Sequence, residues 1–287
     1  MPGHVVLCPN PFRDEGFEIT QKSIALLSSA GFTALVSPMS VTGEIVPAPD
    51  GILFTDLETA IDGAALIVSL GGDGTMLHTA RAVNSAAVPI IGINLGNKGF
   101  LAEIEPSELD LLVSCAQGNY TIERRMMADV CLVRNGQVIF SDCSLNDAAI
   151  VCVTNTLQVL AFGDGHKIME FSGDGITLAT PTGSTAYSMS AGGPLVEPTA
   201  ENIIITPICA HDLSARSFVL HPDRKVMVRT IIRPGRNAVL SVDGGQPIAL
   251  ETGDEILFSK STHCTLFAHT GRRSFYDMAF EKLGRVK

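Results

Sequence analysis

The chain has 287 residues and a formal net charge of −10, with 46% hydrophobic and 17% charged residues. That length suits two domains, and the composition is that of a packed globular protein, not a disordered one. The acidic balance excludes a broad nucleic-acid or anionic-membrane surface, so any phosphate must be held by backbone amides, helix N-termini, a metal ion or single basic residues.

In chain order, the β-branched run Val5–Cys8 predicts a first strand. Apolar positions at helical spacing (Ile19, Ile24, Leu27) predict a helix over 16–30, stopped by Gly31. Thr33–Ser37 and the wholly apolar Ala64–Leu70 read as strands, residues 75–87 as a helix, and Val88–Asn94 as a further strand. Strands buried on both faces and alternating with helices predict a parallel α/β sheet. Near residue 120 the pattern changes to mainly β. Asp129–Val133 and Val138–Ser141 flank Asn135-Gly136, a hairpin signal, and Val226–Ile232, Ala238–Val242, Ile248–Glu251 and Glu255–Lys260 read as strands, with Asp243-Gly244-Gly245 as a turn. Ser274–Leu283 returns to helix. The seven cysteines (Cys8, Cys115, Cys131, Cys143, Cys152, Cys209, Cys264) are odd in number and contain no C-x-x-C pair, which argues for reduced thiols in a cytoplasmic chain. Met1-Pro2-Gly3-His4-Val5 has no leader pattern, and no apolar run reaches the ~20 residues of a membrane span.

Chemistry concentrates in two segments. Gly71-Gly72-Asp73-Gly74-Thr75 follows a buried strand and opens a helix. Glycines there let a phosphate approach the backbone, and the helix start turns its amides toward it. A carboxylate at that place repels phosphate, so Asp73 either holds Mg²⁺, accepts the proton of an attacking hydroxyl, or caps the helix. Neither G-x-x-x-x-G-K-[ST] nor G-x-G-x-x-G occurs, which excludes a P-loop and a dehydrogenase-type dinucleotide fingerprint. The second segment is Thr180-Pro181-Thr182-Gly183-Ser184-Thr185-Ala186-Tyr187-Ser188-Met189-Ser190-Ala191-Gly192-Gly193-Pro194, preceded by Gly173-Asp174-Gly175. Its hydroxyls suit ribose and phosphate oxygens, and Tyr187 offers a flat face to a base.

These segments, with Asn94-Leu95-Gly96, Gly99-Phe100-Leu101, Glu123-Arg124-Arg125-Met126, Asn146-Asp147, Pro207-Ile208-Cys209, His211, Asp243-Gly244, Gln246 and Phe275-Tyr276, occur in the order and wording of the NAD kinase family, which the chain resembles from about residue 5 to residue 283. The resemblance implies an α/β domain over 1–125 joined by 271–287, and a β-rich dinucleotide-binding domain over 126–270, with the final helix returning to the first. It implies phosphoryl transfer from ATP or polyphosphate to the 2′-hydroxyl of the adenosine ribose of NAD, giving NADP. Asp73 corresponds to the proton acceptor, Gly74 lies beside substrate, and Phe100 walls the adenosine pocket. Asn146, Asp147, Asp174, Thr182, Thr185, Ala186, Tyr187, Ser188, Ser190 and Gln246 correspond to dinucleotide contacts. Mg²⁺ or another divalent ion is implied as cofactor, and a homodimer or homotetramer as the assembly. No residue is assigned as a metal ligand. The chain departs from the family pattern at Asp147, where the family carries Glu, at Asn97-Lys98, and at Gly245, an extra residue before Gln246. The rival readings are a lipid or sugar kinase sharing the GGDGT segment and a non-catalytic NAD(H) or NADP(H) sensor.

Overall fold

The computed structural model describes residues 3–39, 44, 46–83, 86–96, 99–153, 155–212 and 214–284, without the side chain of Lys282. Two compact units divide the chain: Met1–Arg124 with Thr265–Lys287, and Arg125–Cys264.

The first unit contains β1 (His4–Pro9), α1 (Glu18–Ser29), β2 (Ala34–Val36), α2 (Leu57–Ile61), β3 (Ala64–Gly71), α3 (Asp73–Ala82), β4 (Ile90–Asn94) and α4 (Leu111–Ala116). Its strands pair in parallel in the order β2-β1-β3-β4. Both faces of β3 and β4 are buried, which is why their sequences are nearly continuous apolar runs. The core gathers Val5, Leu7, Leu27, Leu66, Val68, Leu70, Ile91, Ile93 and Leu112. The chain steps from β1 outward to β2, then returns past β1 to β3 and β4. The reversal between β1 and β3 creates a crevice at their carboxyl ends, the place where open α/β sheets bind ligands. The first helix starts at Glu18 because Gly16 and Phe17 adopt left-handed φ of 64° and 58°.

The second unit is built from most of β5 (Thr121–Arg134), β6 (Gln137–Ser144), β7 (Asp147–Cys152), β8 (Leu157–Gly163), β9 (His166–Gly173), β10 (Gly175–Ala179), α5 (Tyr187–Ser190), β11 (Ile203–Ile208), β12 (Phe218–Leu220), β13 (Val226–Ile231), β14 (Ala238–Val242), β15 (Ile248–Leu250) and most of β16 (Glu255–His269). One sheet has the antiparallel order β12-β11-β10-β7-β14-β15; facing it, β16, β13, β8 and β9 pair in that order, with β5 on β16 and β6 on β5. Their inner faces share one core that includes Val130, Ile150, Val159, Phe171, Leu178, Ile205, Val228, Leu240 and Phe258. Buried and half-exposed residues alternate along β8, β13 and β14, as a one-sided sheet requires. Asn135-Gly136 turns the β5–β6 hairpin with φ of 50° and 77°, the left-handed pair a tight hairpin turn needs.

The last helix, α6 (Phe275–Leu283), belongs to the first unit. Ser274 starts it by accepting the Asp277 amide, while the Asp277 carboxylate accepts the Ser274 amide in return, a reciprocal cap. No helix among the described residues is long and apolar enough to cross a membrane.

A cross-strand clasp holds the second unit. Arg134 donates to both carboxylate oxygens of Asp254 at 2.8 Å, and also to Glu251 and the Ala249 carbonyl. Asp254 is 1% exposed. Arg134→Met leaves that carboxylate without its cation and is expected to lower the thermal midpoint. An unchanged midpoint shows that the clasp is not needed.

Candidate functional site

In the first unit the site assembles at the β1/β3 reversal. Gly72, not Asp73, is the N-cap of α3, so the helix-capping reading of Asp73 is set aside. The Asp73 carboxylate instead faces the turn after β4: Oδ2 accepts the Phe100 amide at 2.8 Å, and Oδ1 accepts the Leu101 amide at 3.2 Å. An ionised carboxylate offers about four lone-pair sites, so acceptor capacity remains for a hydroxyl or an ion. Beside it, buried Asn10 at the end of β1 donates to Thr75 Oγ1 at 3.1 Å. Asn94, at the end of β4, accepts the Gly96 amide and donates to Glu105, which also receives Arg273.

The glycines of this site fall into two groups. A Cβ on Gly71 would lie 2.6 Å from Thr75 Cβ, and one on Gly99 would lie 2.5 Å from Asp73 Cγ. Those two glycines are filled by the protein itself. A Cβ on Gly72 or Gly74 would meet nothing within 4 Å among the described residues. Gly74 is exposed, so the space over Gly72 and Gly74 at the start of α3 is open for a ligand. Phe100 is largely buried, with its ring 6.4 Å from that of Phe275.

In the second unit Asp243 acts as the anchor. It turns with φ of 49°, and its carboxylate accepts the amides of Leu145, Asn146 and Asp147 at 2.8, 2.8 and 3.0 Å. That fixes the start of β7. Gly183 then packs so closely that a Cβ there would lie 2.5 Å from the Asn146 carbonyl carbon, and the Thr180 amide donates to the Asn146 carbonyl at 2.9 Å. The Asn146 backbone is therefore locked between two elements. Asp147 is 6% exposed and accepts the backbone N–H of Tyr187. Burial first, and then the neighbouring Asp243 charge, push Asp147 from its ordinary 3.8 to about 7, with the Tyr187 bond holding it back only in part.

The hydroxyl-rich run divides. Ser184 bonds both the amide and the carbonyl of Val196, and Ser188 bonds Thr206 at 3.0 Å. Both are fully buried. Ser188, expected as a dinucleotide contact, thus has its hydroxyl committed to the fold, because β11 passes directly beneath α5. Thr182 is buried too, and its Oγ1 has no partner among the described residues. Thr185 and Ala186 are half-buried, and Ser190 is exposed. Tyr187 shows 40% of its surface. Its hydroxyl is held above the ordinary range by burial and then by Cys209, Asp147 and Asp174, so it stays a neutral donor. Asp174 receives the Cys209 thiol, and that bond, followed by the Asp174 charge, raises the thiol, which stays protonated. Gln246 stands exposed in the stretch after the Asp243 turn. Asn97-Lys98 lies outside the described residues. Asp243 and Gly99 were legible only as parts of motifs; their roles as anchor and as close contact depend on segments distant in sequence.

Residues 18–118 match the family described as the ATP-NAD kinase N-terminal domain, and residues 149–270 match the ATP-NAD kinase C-terminal domain. The chain is 37% identical over 282 residues to an NAD kinase of Natranaerobius thermophilus, covering 97% of each chain. It is 33% identical over 280 residues to an NAD kinase of Acetivibrio thermocellus, covering 96% of each. Among solved structures, yeast NADH kinase complexed with NADH superposes with a TM-score of 0.85 at 25% identity, covering 99% of this chain and 88% of that one. An NAD kinase from Archaeoglobus fulgidus in complex with ATP shares the fold, with a TM-score of 0.76 at 23% identity and coverage of 99% and 100%.

The Asp147 carboxyl sets a pH dependence whose sign follows from its raised value. The folded state holds this proton more tightly than the unfolded chain. Its contribution to stability is therefore full below about pH 4 and is lost as pH rises through about 7. Asp147→Asn keeps an acceptor for the Tyr187 amide and removes the titration. The variant is expected to gain thermal stability over the parent between pH 5 and pH 8, with a ceiling of roughly 4 kcal/mol at ~1.4 kcal/mol per pH decade. An equal difference between the two proteins at both pH values rules this out.

Proposed function

The chain belongs to the NAD kinase family and has NAD kinase function, and from that premise we propose how its own residues carry the transfer. The phosphoryl group passes from ATP, or from polyphosphate, to the 2′-hydroxyl of the adenosine ribose of NAD, producing NADP. The observation that carries this reading is the position of Asp73. It is a carboxylate pinned by two backbone amides at the open start of α3, where the space over Gly72 and Gly74 is unobstructed.

A sugar hydroxyl is far less acidic than a carboxylic acid, so Asp73 does not ionise it in advance. It orients the hydroxyl and takes its proton as the new P–O bond forms, in a loose transition state governed by positioning and electrostatics. The open turn and the first amides of α3 receive the donor's phosphates. Mg²⁺ is usually held by one or two carboxylates together with substrate phosphates and water; Asp73, one carboxylate with spare acceptor capacity, fits that pattern. When bound, the ion neutralises the donor's charge.

For the dinucleotide, Tyr187 offers its exposed face to a base, while Asn146, Asp174, Thr185, Ala186, Ser190 and Gln246 offer polar or backbone contacts. The orphaned Thr182 hydroxyl supplies a further donor or acceptor. Asp147 and Ser188 support this surface from beneath through Tyr187 and Thr206. The seven free thiols suit a cytoplasmic enzyme, and the family relationship favours a homodimer or homotetramer.

The test is incubation with NAD, ATP and Mg²⁺, with NADP read by an NADP-specific dehydrogenase. NADP is expected to form, and Asp73→Asn is expected to lower kcat at least 100-fold while NAD binding stays within about threefold. Turnover of the variant within tenfold of the parent removes Asp73 from the proton-accepting role. Binding of NAD by the parent with no NADP from ATP, or from polyphosphate in a second arm, supports a sensor instead.

A further inference from the structure

We propose that Gly99 is a positioning residue for the transfer: its missing side chain is the space the Asp73 carboxylate occupies, and this lets the 99–101 turn grip both carboxylate oxygens. The inference rests on Asp73 being the proton acceptor.

An aspartate in the first turn of a helix ordinarily lies against the exposed amides of its own helix, where dipole and hydrogen bonding favour it. Asp73 does not. Each of its oxygens takes one amide from the turn after β4, Phe100 on Oδ2 and Leu101 on Oδ1. Two donors on two oxygens fix the plane of the carboxylate as well as its position, so both side-chain torsions are set before any ligand arrives. A proton acceptor held this way has no rotamer search to complete, and a displacement of about 1 Å in such a group costs on the order of 100-fold in rate.

The fork requires close approach. A Cβ on Gly99 would stand 2.5 Å from Asp73 Cγ and 2.9 Å from Oδ2, and would overlap Oδ1. Gly99 does not adopt the left-handed φ that marks Gly31, Gly63 or Gly118, so backbone freedom is not the reason for glycine here. Occupied space is. The segment that follows the turn is tied to the sheet independently of Asp73: the Ile104 amide bonds the Gly92 carbonyl, the Asn94 amide bonds the Ile104 carbonyl, and Asn94 bonds Glu105. With the turn fixed on its far side, a side chain at 99 displaces the aspartate and leaves the turn in place.

The experiment crosses Gly99→Ala with two Asp73 variants. Gly99→Ala alone is expected to lower kcat about 100-fold with KM for NAD within about threefold. Added to Asp73→Asn, it is expected to change kcat less than twofold, because it acts only through the group already removed. A second readout is stability. Gly99→Ala is expected to lower the thermal midpoint in the parent but not in the Asp73→Ala background, where the carboxylate no longer occupies the space. If Gly99→Ala alone fails to fold, recovery of folding by Asp73→Ala carries the same meaning. The proposal is overturned if Gly99→Ala keeps kcat within threefold while Asp73→Asn is inactive, if the two losses multiply, or if Asp73→Ala does not relieve the instability. An active Asp73→Asn overturns the underlying reading, and is distinguishable because it needs no Gly99 variant.

Discussion

The carboxylate of Asp73 accepting the Phe100 and Leu101 amides is the contact around which the rest of the first unit is arranged. In the proposed transfer, a chain carrying a net charge of −10 has to bring phosphate to an aspartate. Fixing carboxylates on backbone amides answers part of that problem. The same device recurs at Asp243, with three successive amides, and at Asp14, which accepts the amides of Ile19 and Thr20 and the Thr20 hydroxyl. Hydrogen bonds to a charged group are worth about 1.5–3 kcal/mol each, enough to hold a short side chain in one geometry. The negative charges are thereby turned onto the backbone, and each also organises the segment it grips: the start of α1, the turn after β4, the start of β7.

In the second unit that logic reaches the proposed dinucleotide surface through Asp147. Asp243 fixes the backbone of residues 145–147, which sets Asp147 beneath the first turn of α5, where it takes the Tyr187 amide. A four-residue helix has too few internal bonds to hold itself. Its support comes from outside: Asp147 at its start, Ser188 on Thr206 below, and Gly193 closing over both, since a Cβ there would lie 2.6 Å from Thr206 Oγ1. The exposed part of the run, Tyr187 and Ser190, rests on this frame.

Much of the architecture was legible because its signals are local. The continuous apolar runs of β3 and β4 announce a parallel sheet, Asn135-Gly136 announces its hairpin, and Ser274 announces α6. The strands from β7 to β12 were not read individually. β10 and β11 are buried along their whole length, so they lack alternation, and β10 lies between Gly173-Asp174-Gly175 and Thr180-Pro181, residues that locally signal a turn. The glycines there serve packing: a Cβ on Gly175 would lie 3.0 Å from Val151 Cα. Asp73 and Tyr187 could be singled out from sequence, since a carboxylate among glycines and an aromatic among hydroxyls are odd in themselves. The inward roles of Ser188 and Asp147, and those of Gly99 and Asp243, come from partners 18 to 98 residues away, which no local pattern encodes.

The placement of a fixed anion beside the phosphate site has an energetic consequence for the proposed transfer. In the proposed ground state Asp73 and the donor's phosphates would repel each other, a repulsion that the amides at the α3 start would offset in part. As the proton moves from the ribose hydroxyl to Asp73, its charge disappears from the site while the new P–O bond forms. The repulsion is thus largest before the reaction and smallest as the acceptor oxygen becomes bonded to phosphorus. Interactions that improve toward the transition state raise kcat, whereas those present equally throughout change only binding. An aspartate free to rotate would relieve the repulsion by turning toward solvent and lose that difference. Held on two amides, it cannot turn away, so the relief comes through proton transfer, which is why the rigidity of the 99–101 turn matters as much as the charge it grips.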